Sequence, residues 1–337
     1  MRLLRSLCLA VGLMAPLPSV AQMLEFEALD GWYDDNHLAA LVNFRSTCDL
    51  LSGPEWQPLC KVAADVPDDE ASARSFFELF FKPVVVGDPP ALFTGYFEPE
   101  LSGSLTRTPR FAWPLYRLPP EGLQGQSRAS IDAGALAGRG LEILWLDDPI
   151  DVYFLQIQGS GRVRLPDGQV VRLGYAGKNG HPYRSIGQEL VRQGIFSLHQ
   201  VSAQVIRDWV RRNPGPGQDL LAHNPSYVFF RKIGNLPADK GPIGAMGRSL
   251  TTMRSVAIDP AFTPLGVPVW IEKDGAKPLR QLMIAQDTGG AIKGAQRADI
   301  FYGTGPQAGD AAGTIKDPGR MVQLLPIDRA YALLPEG

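Results

Sequence analysis

Histidine and cysteine are scarce in this chain: it has four histidines and three cysteines among 337 residues. No histidine stands at ligand spacing with a cysteine, so no metal site is expected. An excess of charge of either sign is missing too. The formal net charge is −2, charged residues make up 20% of the chain, and the basic ones are spread along it. That pattern lacks the basic stripe of a nucleic-acid binder. Past the N-terminal segment, no run is apolar enough to cross a bilayer. The glycine-rich turns are not followed by Gly-Lys-Ser/Thr, and Gly159-Ser160-Gly161 has neither the dinucleotide spacing nor the Gly-x-Ser-x-Gly elbow. Nucleotide-dependent and serine-hydrolase chemistry are therefore disfavoured, and no cofactor is expected. No internal repeat or low-complexity tract is present.

Glycine and proline, by contrast, are abundant, at 36 and 29 residues. With so few charged residues, this composition favours a turn-rich β protein over a helix bundle. The first 21 residues are built differently. Arg2 and Arg5 precede an apolar stretch from Leu7 to Ala15, and Ser19-Val20-Ala21 fits a small-x-small cleavage site. Pro16 and Pro18 would break a core helix, so the segment reads as a secretory signal peptide cleaved after Ala21. The expected destination is the periplasm, and the remaining length suits about two domains. Cys8 leaves with the leader. Cys48 and Cys60, twelve positions apart, remain in a chain sent to an oxidising compartment. A disulfide between them is expected.

Asn36 is placed to cap a helix that buries Leu38, Leu41, Val42 and Phe44, and Asp68 or Asp69 to cap a second through Phe76, Phe77, Phe80 and Phe81. Residues 91–97, 113–118 and 151–158 read as strands, and residues 162–173 as a hairpin turning at Asp167-Gly168. Helices are expected over 184–192 and after Ser202, and a Pro/Gly-rich linker over 212–218. From 227 onward short strands return at 227–230, 255–258, 268–272, 282–285, 300–301 and 321–325, the pattern of a small β-barrel.

Three stretches combine unusual backbone demands with polar side chains. The first is Phe93-Thr94-Gly95-Tyr96. The second is Gln156-Ile157-Gln158-Gly159-Ser160-Gly161, followed by the segment from Tyr175 to Gly187. On a strand, Gln156 and Gln158 would share one face. That face suits either sugar hydroxyls and N-acetyl groups or plain solvent, and the motif does not separate the two. The third runs from Ala285 to Gly305 and holds Asp287 and Asp299 among glycines, with Lys293 and Arg297 between them. Cleavage of a glycosidic bond needs a carboxylic acid to protonate the leaving oxygen. An ordinary aspartate, with a pKa near 3.9, is ionised at neutral pH, so burial or a second carboxylate must raise it. Asp287 reads equally as a cap for its own turn.

Taken together, the motifs resemble the membrane-bound lytic murein transglycosylase A family. The resemblance rests on Phe93-Thr94-Gly95-Tyr96, Gln158 to Gly161, Tyr175 to Gly187, Asn224 to Phe230, and Asp287 to Gly294 with Asp299. The last block also resembles the small module named for three aspartates, here Asp259, Asp287 and Asp299. The resemblance implies a mainly β fold with some α: a double-psi β-barrel domain from residues 22–97 and 228–337, with the three-aspartate module at about 246–326. A smaller β-domain, residues 98–227, would be inserted, with a groove between the two. It also implies a peptidoglycan lytic exotransglycosylase, a lyase that leaves 1,6-anhydromuramoyl ends. The residues themselves leave cleavage at chain ends or within chains open. Asp299 would be the catalytic acid, with Asp287 orienting it. Thr94, Gly95, Gln158, Ser160, Asn179 and Lys293 would contact substrate, the expected partner being peptidoglycan glycan strands. A hydrolase using both aspartates and a non-catalytic peptidoglycan-binding scaffold are the alternatives. The family name implies an acylated N-terminal cysteine, whereas Gln22 follows the expected cleavage site. The sequence thus gives no support for a lipid anchor.

Overall fold

The computed structural model describes residues 21–333. Of the expected leader, residues 1–21, all but Ala21 lies outside them. No helix among the described residues is long and apolar enough to cross a membrane.

Helix α1 (His37–Arg45) begins where the Asn36 side chain accepts a hydrogen bond from the Ala39 N–H at 2.9 Å. After α2 (Trp56–Asp65), α3 (Glu70–Phe80) is capped in the same way by Asp69. Such caps satisfy N–H groups that a first helical turn leaves unpaired. Phe44 of α1 and Phe76 and Phe77 of α3 meet Phe81 in a buried cluster with ring centroids 5.3–6.4 Å apart. Val42, expected to be buried, is 54% exposed. Cys48 and Cys60 are joined, with Cα atoms 5.5 Å apart, tying the turn after α1 to α2.

β1 (Ala21–Met23) pairs with β2 (Phe81–Val86), and β3 (Ala91–Glu98) leads into a second sheet. That sheet holds β4 (Glu100–Ser104), β5 (Trp113–Tyr116), β6 (Glu142–Leu146), β7 (Gly161–Arg164), β8 (Val170–Lys178) and β9 (Val228–Ile233), in the order β5-β6-β4-β7-β8-β9. An isolated bridge from Arg117 to Phe230 brings its two edges together. The helices α4 (Arg128–Asp132), α5 (Pro149–Gln158), α6 (Ile186–Arg192), α7 (Ala203–Arg212) and α8 (Pro214–His223) accompany it. The chain then returns through β10 (Ser255–Ile258), β11 (Pro268–Lys273), β12 (Leu279–Thr288), β13 (Arg297–Thr304), α9 (Pro306–Ala312), β14 (Lys316–Pro326) and α10 (Ile327–Ala332). Pairing in the order β14-β11-β12-β10-β13-β3 closes on itself through β3 and β14. This is the mainly β architecture expected, a double-psi barrel with a smaller inserted β-domain. Alternation along the strands sends Val256, Ile258, Ala298 and Ile300 inward, all at 0% exposure, to meet Trp270, Met283 and Met321.

Three expectations require correction. Residues 151–158 belong to a helix, α5. Asp148 caps it, Pro149 occupies its first turn and Gly159 closes it in the left-handed region at φ 77°. These are strong helix boundaries. The segment reads as a buried strand because it is apolar on two sides: Val152 and Leu155 join one core, and Ile150, Tyr153 and Phe154 another. The expected linker over 212–218 overlaps α8, where Pro214 sits at the first turn and Gly217 lets the helix lie against Val210 of α7. A Cβ at Gly217 would come within 2.9–3.1 Å of Val210 atoms. Finally, β9 pairs with β8, so the second sheet continues past the expected division at 227/228.

The loop closed by Cys48 and Cys60 is the clearest covalent contribution to stability. Replacing both by serine should cost about 3 kcal/mol in the chain-entropy account. Urea unfolding should show a lower midpoint, and an unmoved midpoint would rule this contribution out.

Candidate active site

Strand register assembles the site. β10 lies between β12 and β13, and its Ala257 pairs with Asp287 on one side and Asp299 on the other. Across β13, Asp299 stands opposite Thr94 of β3. Asp287, Ala257, Asp299 and Thr94 therefore form one row across four strands, and directly paired residues share a face. The inward residues Ala298 and Ile300 flank Asp299, so the row faces out of the barrel. Two strand spacings place the backbones of the two aspartates roughly 10 Å apart. Between them Ala257 is buried, 3% exposed, in a cluster with Tyr96, Leu250, Ile292 and Phe301.

The two carboxyls have different surroundings. Asp287 Oδ1 accepts from the Ala245 and Thr288 N–H groups, each at 2.9 Å, and Oδ2 accepts from the Tyr96 hydroxyl at 2.9 Å. Burial pushes Asp287 above its ordinary value, and these three donors pull against that rise. Asp299 is part-buried, and among the described residues Thr94 is its one hydrogen-bond partner, Oγ1 to Oδ1 at 2.5 Å. Loss of water raises Asp299 to about 6. The Thr94 bond and Arg297 act downward, and the charge of Asp287 acts upward. Arg297 Nη2 donates to Thr94 Oγ1 at 2.8 Å, so the Thr94 hydrogen is directed at Asp299. A proton on Asp299 would therefore sit on Oδ2, the oxygen that Thr94 leaves free. Burial, and next the charge of Asp287, raise Tyr96 well above the usual tyrosine value, so its phenol stays a neutral donor. Its ring packs on Phe301 at 5.3 Å.

Support comes from behind. Asn43 of α1 donates through Nδ2 to the Arg254 carbonyl at 2.7 Å and to Gln286 Oε1 at 3.1 Å, and the Ser255 hydroxyl donates to Gln286 as well. The N-terminal helices thus brace the strands that carry Ala257 and Asp287. Asp259, the third aspartate, accepts from the Gly294 N–H at 2.9 Å, and Lys293 Nζ lies 3.6 Å from its other oxygen. Burial raises Asp259, but the Gly294 and Ala261 N–H groups and Lys293 outweigh that and hold it below its ordinary value. Its role is to fasten the glycine-rich turn beside the row.

The remaining predicted substrate residues separate. Gln158, at the end of α5, accepts from the Phe97 N–H at 3.0 Å and so touches β3 next to the row. Gln156 lies about 200° away around the helix and accepts instead from Arg128 at 2.5 Å, so the shared strand face does not exist. Asn179 is structural. Its Nδ2 donates to the Gln126 and Pro225 carbonyls, and its Oδ1 accepts from the His181 and Tyr227 N–H groups. That leaves no capacity for a sugar. Gly95 is a packing position: a Cβ there would stand 2.8 Å from Ala312 of α9 and 2.9 Å from the Tyr302 ring. Ser160 is buried in the turn after α5. Lys293 is 66% exposed beside Asp259. Sequence reading missed Tyr96, Ala257 and the role of Arg297. Tyr96 was legible, since Thr94 and Tyr96 are two apart on one strand and share a face. Among the described residues, no three His, Cys, Asp or Glu side chains converge as metal ligands.

Comparison with known proteins supplies the family. Residues 92–231 match the MltA specific insert domain, and residues 254–325 match the 3D domain. A membrane-bound lytic murein transglycosylase A of Vibrio cholerae is 38% identical over 261 residues, which cover 73% of this chain and 69% of that protein. A membrane-bound lytic murein transglycosylase structure from Agrobacterium tumefaciens superposes with a TM-score of 0.84 at 30% identity, covering 93% of this chain and 99% of that one. The structure of Escherichia coli MltA with bound chitohexaose gives a TM-score of 0.73 at 31% identity, covering 86% of this chain and 90% of that one. Shared architecture, matched modules and extended sequence identity agree, and the chain belongs to the membrane-bound lytic murein transglycosylase A family.

Proposed function

We propose that this protein is a lytic transglycosylase that cleaves the β-1,4 bond between N-acetylmuramic acid and N-acetylglucosamine in peptidoglycan, with Asp299 as its single catalytic acid. The observation that carries the proposal is the asymmetry of the row. Asp299, with one donor and a proton held up to about 6, is the acid; Asp287, held by three donors, is an orienting charge.

Asp299 Oδ2 gives its proton to the glycosidic oxygen as the bond to muramic C1 breaks. The resulting carboxylate takes the proton of the muramic C6 hydroxyl as that oxygen bonds to C1. Asp299 is thereby reprotonated, a 1,6-anhydro ring forms, and no water is consumed. The sugar carries its own nucleophile, so high effective molarity stands in for a second catalytic carboxylate. Thr94 and Arg297 keep the Asp299 proton on the outward oxygen. The glycan lies between the row and the inserted sheet, where Gln158 and Lys293 are the predicted residues placed to touch it. The chitohexaose bound to the E. coli relative supports a β-linked glycan as the ligand. The disulfide fits an oxidising compartment, and we assign the protein to the periplasm. Mature protein recovered from that compartment should begin at Gln22 on N-terminal sequencing; an intact leader or a start elsewhere would refute this cleavage site.

Digested peptidoglycan should show anhydromuramoyl ends by mass spectrometry, and Asp299→Asn should slow their release at least about 100-fold. Ends carrying an added water would transfer the assignment to a hydrolase.

The pH dependence provides an independent test. kcat/KM should fall as pH rises through about 6, where Asp299 loses its proton. Asp287→Asn removes a charge that raises Asp299, so the midpoint should move down. Thr94→Val removes a bond that favours the carboxylate, so the midpoint should move up. Shifts in the same direction, or none, would exclude Asp299 as the titrating acid.

A further inference from the structure

The chain crosses between the barrel and the inserted sheet twice, through Pro99 on the way out and through residues 234–254 on the way back. Both crossings meet at one carboxylate. Glu98, the last residue of β3, is 1% exposed. It accepts from Arg162 Nε of β7 at 2.8 Å, from Arg172 Nη2 of β8 at 3.0 and 3.2 Å, and from the Thr304 hydroxyl of β13 at 2.9 Å. The spare N–H groups of the two arginines turn to the returning loop. Arg162 donates to the Ala238 and Lys240 carbonyls at 2.8 and 2.9 Å, and Arg172 to those of Pro237 and Lys240 at 3.0 and 2.9 Å. The Arg162 backbone N–H also donates to the Pro99 carbonyl at 2.8 Å. Two guanidinium forks therefore join both crossings, both sheets and the ends of the two strands that carry Thr94 and Asp299. Planar forks suit this geometry because each fixes several acceptors at once.

We propose that the knot of Glu98, Arg162 and Arg172 is the pivot of the groove. It sets the angle between the inserted sheet and the catalytic row, and its members are positioning residues for glycan binding. The proposal rests on the glycan groove described above. The knot touches no reacting atom. Its loss therefore acts on how well the far wall meets the glycan and leaves proton transfer at Asp299 as it was.

The test uses Glu98→Gln, which keeps the shape but removes the charge and points an N–H₂ group at the arginines. In the full chain without glycan, hydrogen exchange over residues 234–240 should become faster; unchanged exchange would overturn the pivot whatever the substrate is. In an Asp299→Asn background, calorimetry should show chitohexaose bound about ten-fold more weakly. In the otherwise unchanged enzyme, KM should rise by a similar factor while the midpoint of the pH profile stays in place. Unchanged affinity and KM, or a loss confined to kcat with a moved midpoint, would overturn the proposal. If Asp299→Asn alone fails to bind chitohexaose, the glycan groove is refuted and the exchange experiment still judges the pivot. Should Glu98→Gln fail to fold, Arg162→Lys retains the charge without the fork; it should show the same changes at smaller size, and full affinity with unchanged exchange would again overturn the pivot.

Discussion

The parallel pairing of β3 with β13 is the constraint on which the rest depends. It joins two segments about 200 residues apart and sets Thr94 against Asp299. With the β3–β14 pairing, it closes the barrel. Farther along, the same two strands bring Glu98 beside Thr304, where the arginines of the inserted sheet arrive. A slip of one residue would turn Asp299 into the apolar core and send Ile300 out. The register is therefore strongly specified by burial, and the catalytic geometry follows from it. The insertion is placed by the same register, since its chain leaves from the end of β3.

The two aspartates show how identical side chains acquire different chemistry. Both are raised by loss of water, yet Asp287 is engaged by three donors and Asp299 by one. A group whose folded pKa is raised favours folding below its unfolded pKa and loses that benefit as pH rises through the folded value. For Asp299 the window runs from about 4 to about 6, so above it the ionised carboxylate costs the fold roughly 2–3 kcal/mol. Such a cost is common where a site needs an acid at a pH that would otherwise ionise it. The surrounding bracing is correspondingly dense. Asn43, Ser255 and Gln286 hold β10 and β12 from the core side, and Asp259 fastens the glycine turn.

Local signals were legible where the chemistry is local. Asn36, Asp69 and Ser202 cap the helices their positions announce, because a cap depends on neighbours three residues away. The barrel strands stand where alternation places them, some longer than the apolar run alone shows. α5 defeated the same reading because it is buried on two sides, and its caps at Asp148 and Gly159 were the better evidence. Asn179 was expected to touch sugar because the family resemblance implies it. Three of its four hydrogen bonds reach distant backbone, and they form only once β8 has met the segment before β9. The row itself has no signature along the chain. Ala257 matters because it lies between two aspartates, and that follows from register alone.

The engagement of Asp287 bears on why the proposed reaction would need no water. A hydrolase of the two-carboxylate type asks its second carboxylate to activate water or to attack C1, and either task requires an uncommitted oxygen. Three of the roughly four acceptor sites of Asp287 are taken: Oδ1 holds Ala245 and Thr288, and Oδ2 holds Tyr96. Releasing one would break the link that holds the 245 loop and β3 against β12. A substrate that brings its own hydroxyl removes that demand, and Asp287 is left to fix charge and shape. In the proposed mechanism one mobile proton, on Asp299, is enough, and the surrounding network can remain still while that proton moves.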